Sequence, residues 1–137
     1  MYSSNPKGSS LMSDSLEVGK KLVALCKEGK FADAINALYS PKIVSVEPHA
    51  MPPMPAKMEG IEAIRGKTDW WGKNHDVHGL KVEGPWPHGD RFIVRFVMDV
   101  TPKAGPMAGK RMTMDEVGLY TTKDGKVVHE EFFYHGG

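Results

Sequence analysis

Three glutamates stand where a carboxylate could move protons instead of simply facing water. Glu47 closes the short alternating run Lys42 to Glu47 (KIVSVE) and is followed by Pro48. Glu116 shares one face of a strand, by period-two alternation, with Met112, Met114, Gly118 and Tyr120. Glu131 lies in the last alternating run, on a face with Val127, His129, Phe133 and His135, while Val128, Glu130, Phe132 and Tyr134 take the other face. A carboxylate at an apolar cavity has its charged form disfavoured by desolvation, which raises its pKa toward neutrality and makes it a competent base. If strand parity turns Glu116 and Glu131 into one dry site, they share a proton and their titrations split. Such a pair supplies both an acid and a base for proton transfer beside a carbonyl. His49 and His135 are expected at the rim of such a pocket, as groups that titrate near neutral pH.

Other chemistries find less support. The six histidines offer one pair at close spacing, His75 and His78, with no HExxH, so no metal site and no cofactor is expected. There is no glycine-rich phosphate loop and no nucleophile elbow. A formal net charge of +1, with basic residues nowhere interleaved densely with aromatics, argues against a nucleic-acid partner. No run approaches a membrane span, and no secretory signal is visible, so no membrane association is expected. The single Cys26 cannot form an internal disulfide, fits a cytoplasmic location, and falls on the apolar stripe of its helix.

The elements that must position these groups follow from periodicity. Residues 1–13 are polar and rich in serine and read as a disordered leader, with a single domain over residues 14–137. A first helix starts near Asp14 and carries Val18, Leu22, Leu25 and Cys26 on one face, ending at Gly29. A second runs from Phe31 to about Tyr39, and a third from Ile61 to about Asn74 with Ile61, Ile64, Thr68 and Trp71 on one stripe. The proline-rich stretch His49 to Lys57 reads as a loop. After a short strand, Leu80 to Gly84, three long alternating runs form an antiparallel sheet: Arg91 to Thr101, Lys110 to Thr121 and Lys126 to His135. An Asp124-Gly125 turn joins the last two. The order predicts an α+β fold, with helices gathered on one face of the sheet. Met54, Met98 and Met114 suit an adaptable apolar pocket, and Trp70, Trp71, Phe96 and Tyr120 complete its expected lining.

Four segments together resemble a known family. They are the Gly29-Lys30-Phe31-Ala32-Asp33 break, the Tyr39 to Pro48 segment with Ile43-Val44-Ser45-Val46-Glu47-Pro48, the Met58-Glu59-Gly60-Ile61-Glu62-Ala63-Ile64-Arg65 helix start, and Asp124-Gly125-Lys126-Val127-Val128. From about Ser15 to Tyr134 the chain resembles SnoaL-like proteins of the ketosteroid isomerase and nuclear-transport-factor-two-like superfamily. The resemblance implies a cone-shaped, curved antiparallel sheet covered on its concave face by the three helices, a cystatin-like arrangement. It also implies a general base at the carboxylate before proline, here Glu47, and a cavity-facing carboxylate and aromatic on the last strand, here Glu131 and Phe133. The isomerases' oxyanion donors have no counterpart: Gly118 stands near one position and Lys21-Leu22-Val23 at the other, so steroid isomerisation is not expected. Epoxide hydrolysis would need an Asp-Arg-Asp set, and Arg95 and Asp99 share a face opposite Phe92, Val94, Phe96 and Met98.

The expectation is a cofactor-independent, polyketide cyclase-like or isomerase-like acid–base enzyme acting on a small apolar carbonyl compound. Glu47 or Glu131 would be the base, with Glu116 or His135 as the partnering acid. The alternative is a non-catalytic ligand-binding or scaffold protein of the same fold. Apolar residues left on the outer face of the sheet (Ile93, Val97, Val117, Leu119 and Phe132 or Phe133) predict a homodimer through that face.

Overall fold

The structure, a computed structural model, describes residues 6–135. Helix α1 (Pro6–Lys27) starts on a proline, whose fixed φ and missing N–H suit the first helical position. It therefore begins upstream of Asp14, inside the stretch expected to be a leader; the remainder of that stretch, residues 1–5, lies outside the described residues. Gly29, at φ 73°, ends the helix: Lys30 N–H bonds the Leu25 carbonyl and Gly29 N–H that of Cys26, the paired closure of a Schellman motif. Helix α2 (Phe31–Leu38) passes straight into β1 (Tyr39–Val46), because Tyr39 is already extended, so this strand starts earlier than Lys42. A short β2 (Lys57–Glu59), in a stretch expected to be loop and helix start, pairs with β1, and Gly60 turns the chain into α3 (Ile61–Lys73).

Strands β3 (His75–His88), β4 (Arg91–Pro102), β5 (Met112–Lys123) and β6 (Lys126–Phe133) complete a curved six-stranded sheet of order β2-β1-β6-β5-β4-β3. Its ends do not meet. Neighbours are antiparallel except β1 and β6, which run parallel, so the sheet is mixed and not wholly antiparallel. Side-chain alternation is the same in both directions, which is why the sequence pattern could not reveal this pairing. Strand β3 is longer than expected, pairing with β4 from His75 to His88 through Pro85 and Pro87. It sits at the sheet's edge, where a missing N–H leaves no inner ladder broken. Among the described residues no helix is long and apolar enough to cross a membrane.

Strand β4 sets the inner face. Phe92, Val94, Phe96, Met98 and Val100 are buried, while Arg95 and Asp99 point outward to ion pairs with Asp115 and Arg111. Val18, Leu22, Val23 and Cys26 of α1, with Ala34, Ile35 and Leu38 of α2 and Ile64 of α3, close the core from the helical side. Helix α1 approaches closely at Gly19: a Cβ there would lie 2.8 Å from Pro85 Cβ and 3.2 Å from Phe92 Cδ1, whereas one at Gly66 in α3 would meet nothing within 4 Å. Helix propensity favours alanine over glycine by about 1 kcal/mol at both positions, but overpacking costs about 1–3 kcal/mol. Gly66→Ala should therefore raise the denaturation midpoint and Gly19→Ala lower it. Equal shifts in both variants would sink the close-approach account.

Candidate acid–base site

Between helices and sheet lies a cavity of about 750 Å³, lined mainly by apolar side chains from α1, α2, α3 and strands β3 to β6. One wall is polar. Strand β1 turns Ile43 and Ser45 inward, Glu47 lines the cavity just beyond its end, and α3 presents Lys67, one turn after Ile64 on its buried stripe. Lys67 Nζ donates to Glu47 Oε2 at 2.8 Å and to Ser45 Oγ at 2.6 Å, and lies 5.3 Å from the centroid of the Phe132 ring. Ser45 Oγ donates onward to Glu130 Oε2 at 2.7 Å, and the Tyr39 hydroxyl donates to Glu130 Oε1. The Tyr134 hydroxyl donates to Glu47 Oε1 at 2.9 Å. A continuous hydrogen-bonded chain thus runs from Tyr39 in the core through Glu130, Ser45, Lys67 and Glu47 to Tyr134.

Glu116 on β5 lines the same cavity, and its carboxyl makes no hydrogen bond or ion pair with any described residue. Burial, reinforced by the charge of Glu47, pushes its pKa up from 4.5 to about 7; Lys67 opposes the shift and Glu130 adds to it. Glu130 is also raised by burial, against the pull of Lys67 and of its bonds from Tyr39 and Ser45. Burial and the Glu47 carboxylate hold Tyr134 well above the usual phenol range. Cys26 lines the cavity too, but burial, with the Glu130 charge, pushes its thiol up to about 12 and keeps it from acting as a thiolate nucleophile. Among the described residues no three His, Cys, Asp or Glu side chains gather as metal ligands would.

The model of the SnoaL-like domain matches residues 13–134, nearly the whole chain. The chain belongs to the SnoaL-like family. A Mesorhizobium loti protein provisionally named a SnoaL-like polyketide cyclase, with carbohydrate phosphatase in brackets, shares 47% identity. The match covers 86% of this chain and 97% of that one, at a TM-score of 0.79. A provisionally named SnoaL-like polyketide cyclase from Jannaschia is 18% identical, covering 97% and 90% of the two chains at a TM-score of 0.68. A Xanthomonas campestris protein of unknown function with a cystatin-like fold is 13% identical, covering 89% and 91% at 0.70. These last two show the shared fold alone. No protein of curated function matches the sequence.

In this SnoaL-like domain, seven of the candidate residues, Glu47, Glu116, Trp71, Phe96, Met98, Met114 and Tyr120, line the cavity. Glu131 and Phe133 do not. Strand β6 bulges at Val128: Val127 opposes Thr122 and His129 opposes Thr121, so one residue is passed over and the parity reverses. Val127, Glu130 and Phe132 thereby share the inner face, and Glu131 and Phe133 turn out, Phe133 being 50% exposed. His135 is exposed beyond the end of β6, and His49 is exposed in the proline loop with its ring edge-on to Tyr134. Met51 lines the cavity in place of Met54, to which it is bridged. Trp70, one position round the helix from Trp71, is turned edge-on to His75 instead. The sequence reading passed over Lys67, Ser45, Tyr39 and Glu130. A lysine three residues after Ile64, on an otherwise apolar stripe, was the available signal.

The raised Glu116 pKa ties the site to stability. The folded carboxyl holds its proton more tightly than the unfolded one, so ionisation costs stability as pH rises from 4.5 to about 7. The full displacement corresponds to about 3 kcal/mol. Glu116→Gln should match wild type in stability at pH 4 and exceed it at pH 8, measured by denaturant titration. A constant difference across that range would contradict the assignment.

Proposed function

We propose that this domain is a cofactor-independent acid–base enzyme of the cyclase or isomerase kind, acting on a neutral, apolar, carbonyl-bearing molecule held in the cavity. One observation carries the reading: Glu116, a carboxyl with no hydrogen-bond partner among the described residues, lines the same apolar cavity as an anchored ammonium, Lys67. A group titrating near neutrality can both take and return a proton at physiological pH. Glu47 is less suited to be the base, because Lys67 and Tyr134 already occupy its two oxygens. Glu116 would remove the proton next to the carbonyl. The C–H electron pair becomes the enolate double bond, and Glu116 then delivers the proton to the new position. Lys67 stabilises the negative charge that develops meanwhile.

Three carboxyl groups, Glu47, Glu116 and Glu130, share this wall with the ammonium of Lys67, while the cavity's other lining cations, Arg65 and Lys73, are exposed on α3 and already ion-paired with Glu62 and Asp69. That balance favours neutral substrates over carboxylates and phosphate esters, which weighs against carrying over the phosphatase part of the Mesorhizobium protein's name. Exchange of the α-protons of 2-tetralone for deuterium, followed by NMR, tests the reading. Wild type should exchange them at a rate that rises with pH through about 7 and levels off as Glu116 ionises in the field of Glu47, Glu130 and Lys67. Glu116→Gln should lose about 10²–10⁴-fold. Binding without exchange would point to the ligand-binding alternative, and full exchange by Glu116→Gln would remove the proposed base.

We also propose a homodimer through the outer face of the sheet. Trp86, Ile93 and Leu119 stand opposite one another across β3, β4 and β5, and Val117 opposes Phe133 across β5 and β6. Trp86 and Phe133 are about half exposed, a patch that association would cover. Light scattering at micromolar concentration should give twice the 15.1 kDa chain mass, and Ile93→Asp should give the monomer. A wild-type monomer would overturn the arrangement.

A further inference from the structure

A second polar group in the cavity lacks a hydrogen-bond partner among the described residues: the hydroxyl of Tyr120. Tyr120 is only 2% exposed. Its ring is stacked on Phe92, with centroids 5.0 Å apart and planes 10° from parallel, and lies edge-on to Phe132 at 6.2 Å. A ring clamped on two sides cannot swing its hydroxyl out to bulk water. No fully enclosed side-chain polar atom among the described residues is left unbonded, so this hydroxyl opens onto cavity space.

Gly118 determines where the hydroxyl lies. A Cβ at that position would sit 2.7 Å from Tyr120 Cε2 and 3.0 Å from its Oη, closer than side-chain atoms pack. The ring therefore leans back along β5 over the bare backbone of Gly118, toward Glu116. Glu116, Gly118 and Tyr120 are successive inward residues of one strand. The carboxyl and the hydroxyl, neither with a hydrogen-bond partner among the described residues, thus share one face of the strand with no side chain between them. Leaving a buried hydroxyl unbonded is unfavourable, and an acceptor on a ligand would relieve it.

We propose that Tyr120 Oη donates a hydrogen bond to the carbonyl oxygen of the bound ligand, and that Gly118 is the residue that lets it reach. This deepens the reading of the cavity as an acid–base site and rests on it for its catalytic consequence. When Glu116 takes the α-proton, the carbonyl π pair moves onto oxygen, and the growing charge meets the Tyr120 O–H. When the proton returns to carbon, the charge collapses and the hydrogen bond relaxes. Burial and the Glu130 charge hold the phenol well above its ordinary pKa, so it remains a neutral donor and not a competing base.

The test uses the full chain with 2-tetralone, in wild type, Tyr120→Phe, Gly118→Ala and Glu116→Gln, with thermal denaturation as a check on folding. Tyr120→Phe keeps the stacked ring and removes only the donor. It should lower the deuterium-exchange kcat about 10²–10³-fold with little change in KM. It should also raise the infrared C=O stretching frequency of the bound ketone, which a merely structural tyrosine would not do. Gly118→Ala, by displacing the ring, should raise the frequency in the same way. If Tyr120→Phe leaves both stretch and kcat at wild-type values, or if the ketone does not bind wild type, the proposal is overturned. A stretch that shifts in Tyr120→Phe while no protein exchanges protons would uphold the hydrogen bond and reject the catalytic reading. Exchange lost in Glu116→Gln but untouched in Tyr120→Phe would do the reverse.

Discussion

The polar wall of this domain depends on one buried ammonium. Lys67 and Glu47 keep only 10% and 11% of their side-chain surface exposed, and a charge so far from water is tolerable only when paired and hydrogen-bonded. Lys67 meets that demand by tying α3 to β1 through both Glu47 and Ser45. Ser45 and Tyr39 then tie β1 to β6 through Glu130, across the only parallel pairing among the described strands. Tyr134 brings the end of the described chain back onto Glu47. Electrostatic necessity and mechanical cohesion coincide here, since the same few bonds neutralise the charges and join three elements.

That arrangement explains why Glu116 is left over. Lys67 is held by Glu47 and Ser45 and Glu130 is met by two hydroxyls, while Glu116 makes no hydrogen bond with any described residue. Its neighbours on the wall of the cavity are apolar residues such as Met98, Met114 and Phe96. In such surroundings the ionised form is expensive, and neutrality becomes the pH at which the group titrates. A polar network that is complete except at one or two groups differs from a core that is merely packed.

The fold is shared with proteins 18% and 13% identical to this chain, so it cannot by itself select a reaction. Any reaction would be chosen by the side chains that this frame turns into the cavity.

The sequence by itself determined what short-range alternation can determine. The inward set of β4, the inward position of Glu116 on β5, the outward face shared by Arg95 and Asp99, and the Asp124-Gly125 turn all follow from period-two patterning and local turn chemistry. Three features were decided only by tertiary structure. The bulge at Val128 exchanges Glu131 for Glu130 at the cavity, because register in one strand is set by hydrogen bonds to its neighbours. The parallel placement of β1 beside β6 unites residues separated by most of the chain, which no local pattern encodes. Lys67 is buried, against the strong preference of lysine for water, because Glu47 and Ser45 reach it from another element. A charge can be kept out of water only by partners, and partners remote in sequence become neighbours only once the chain has folded.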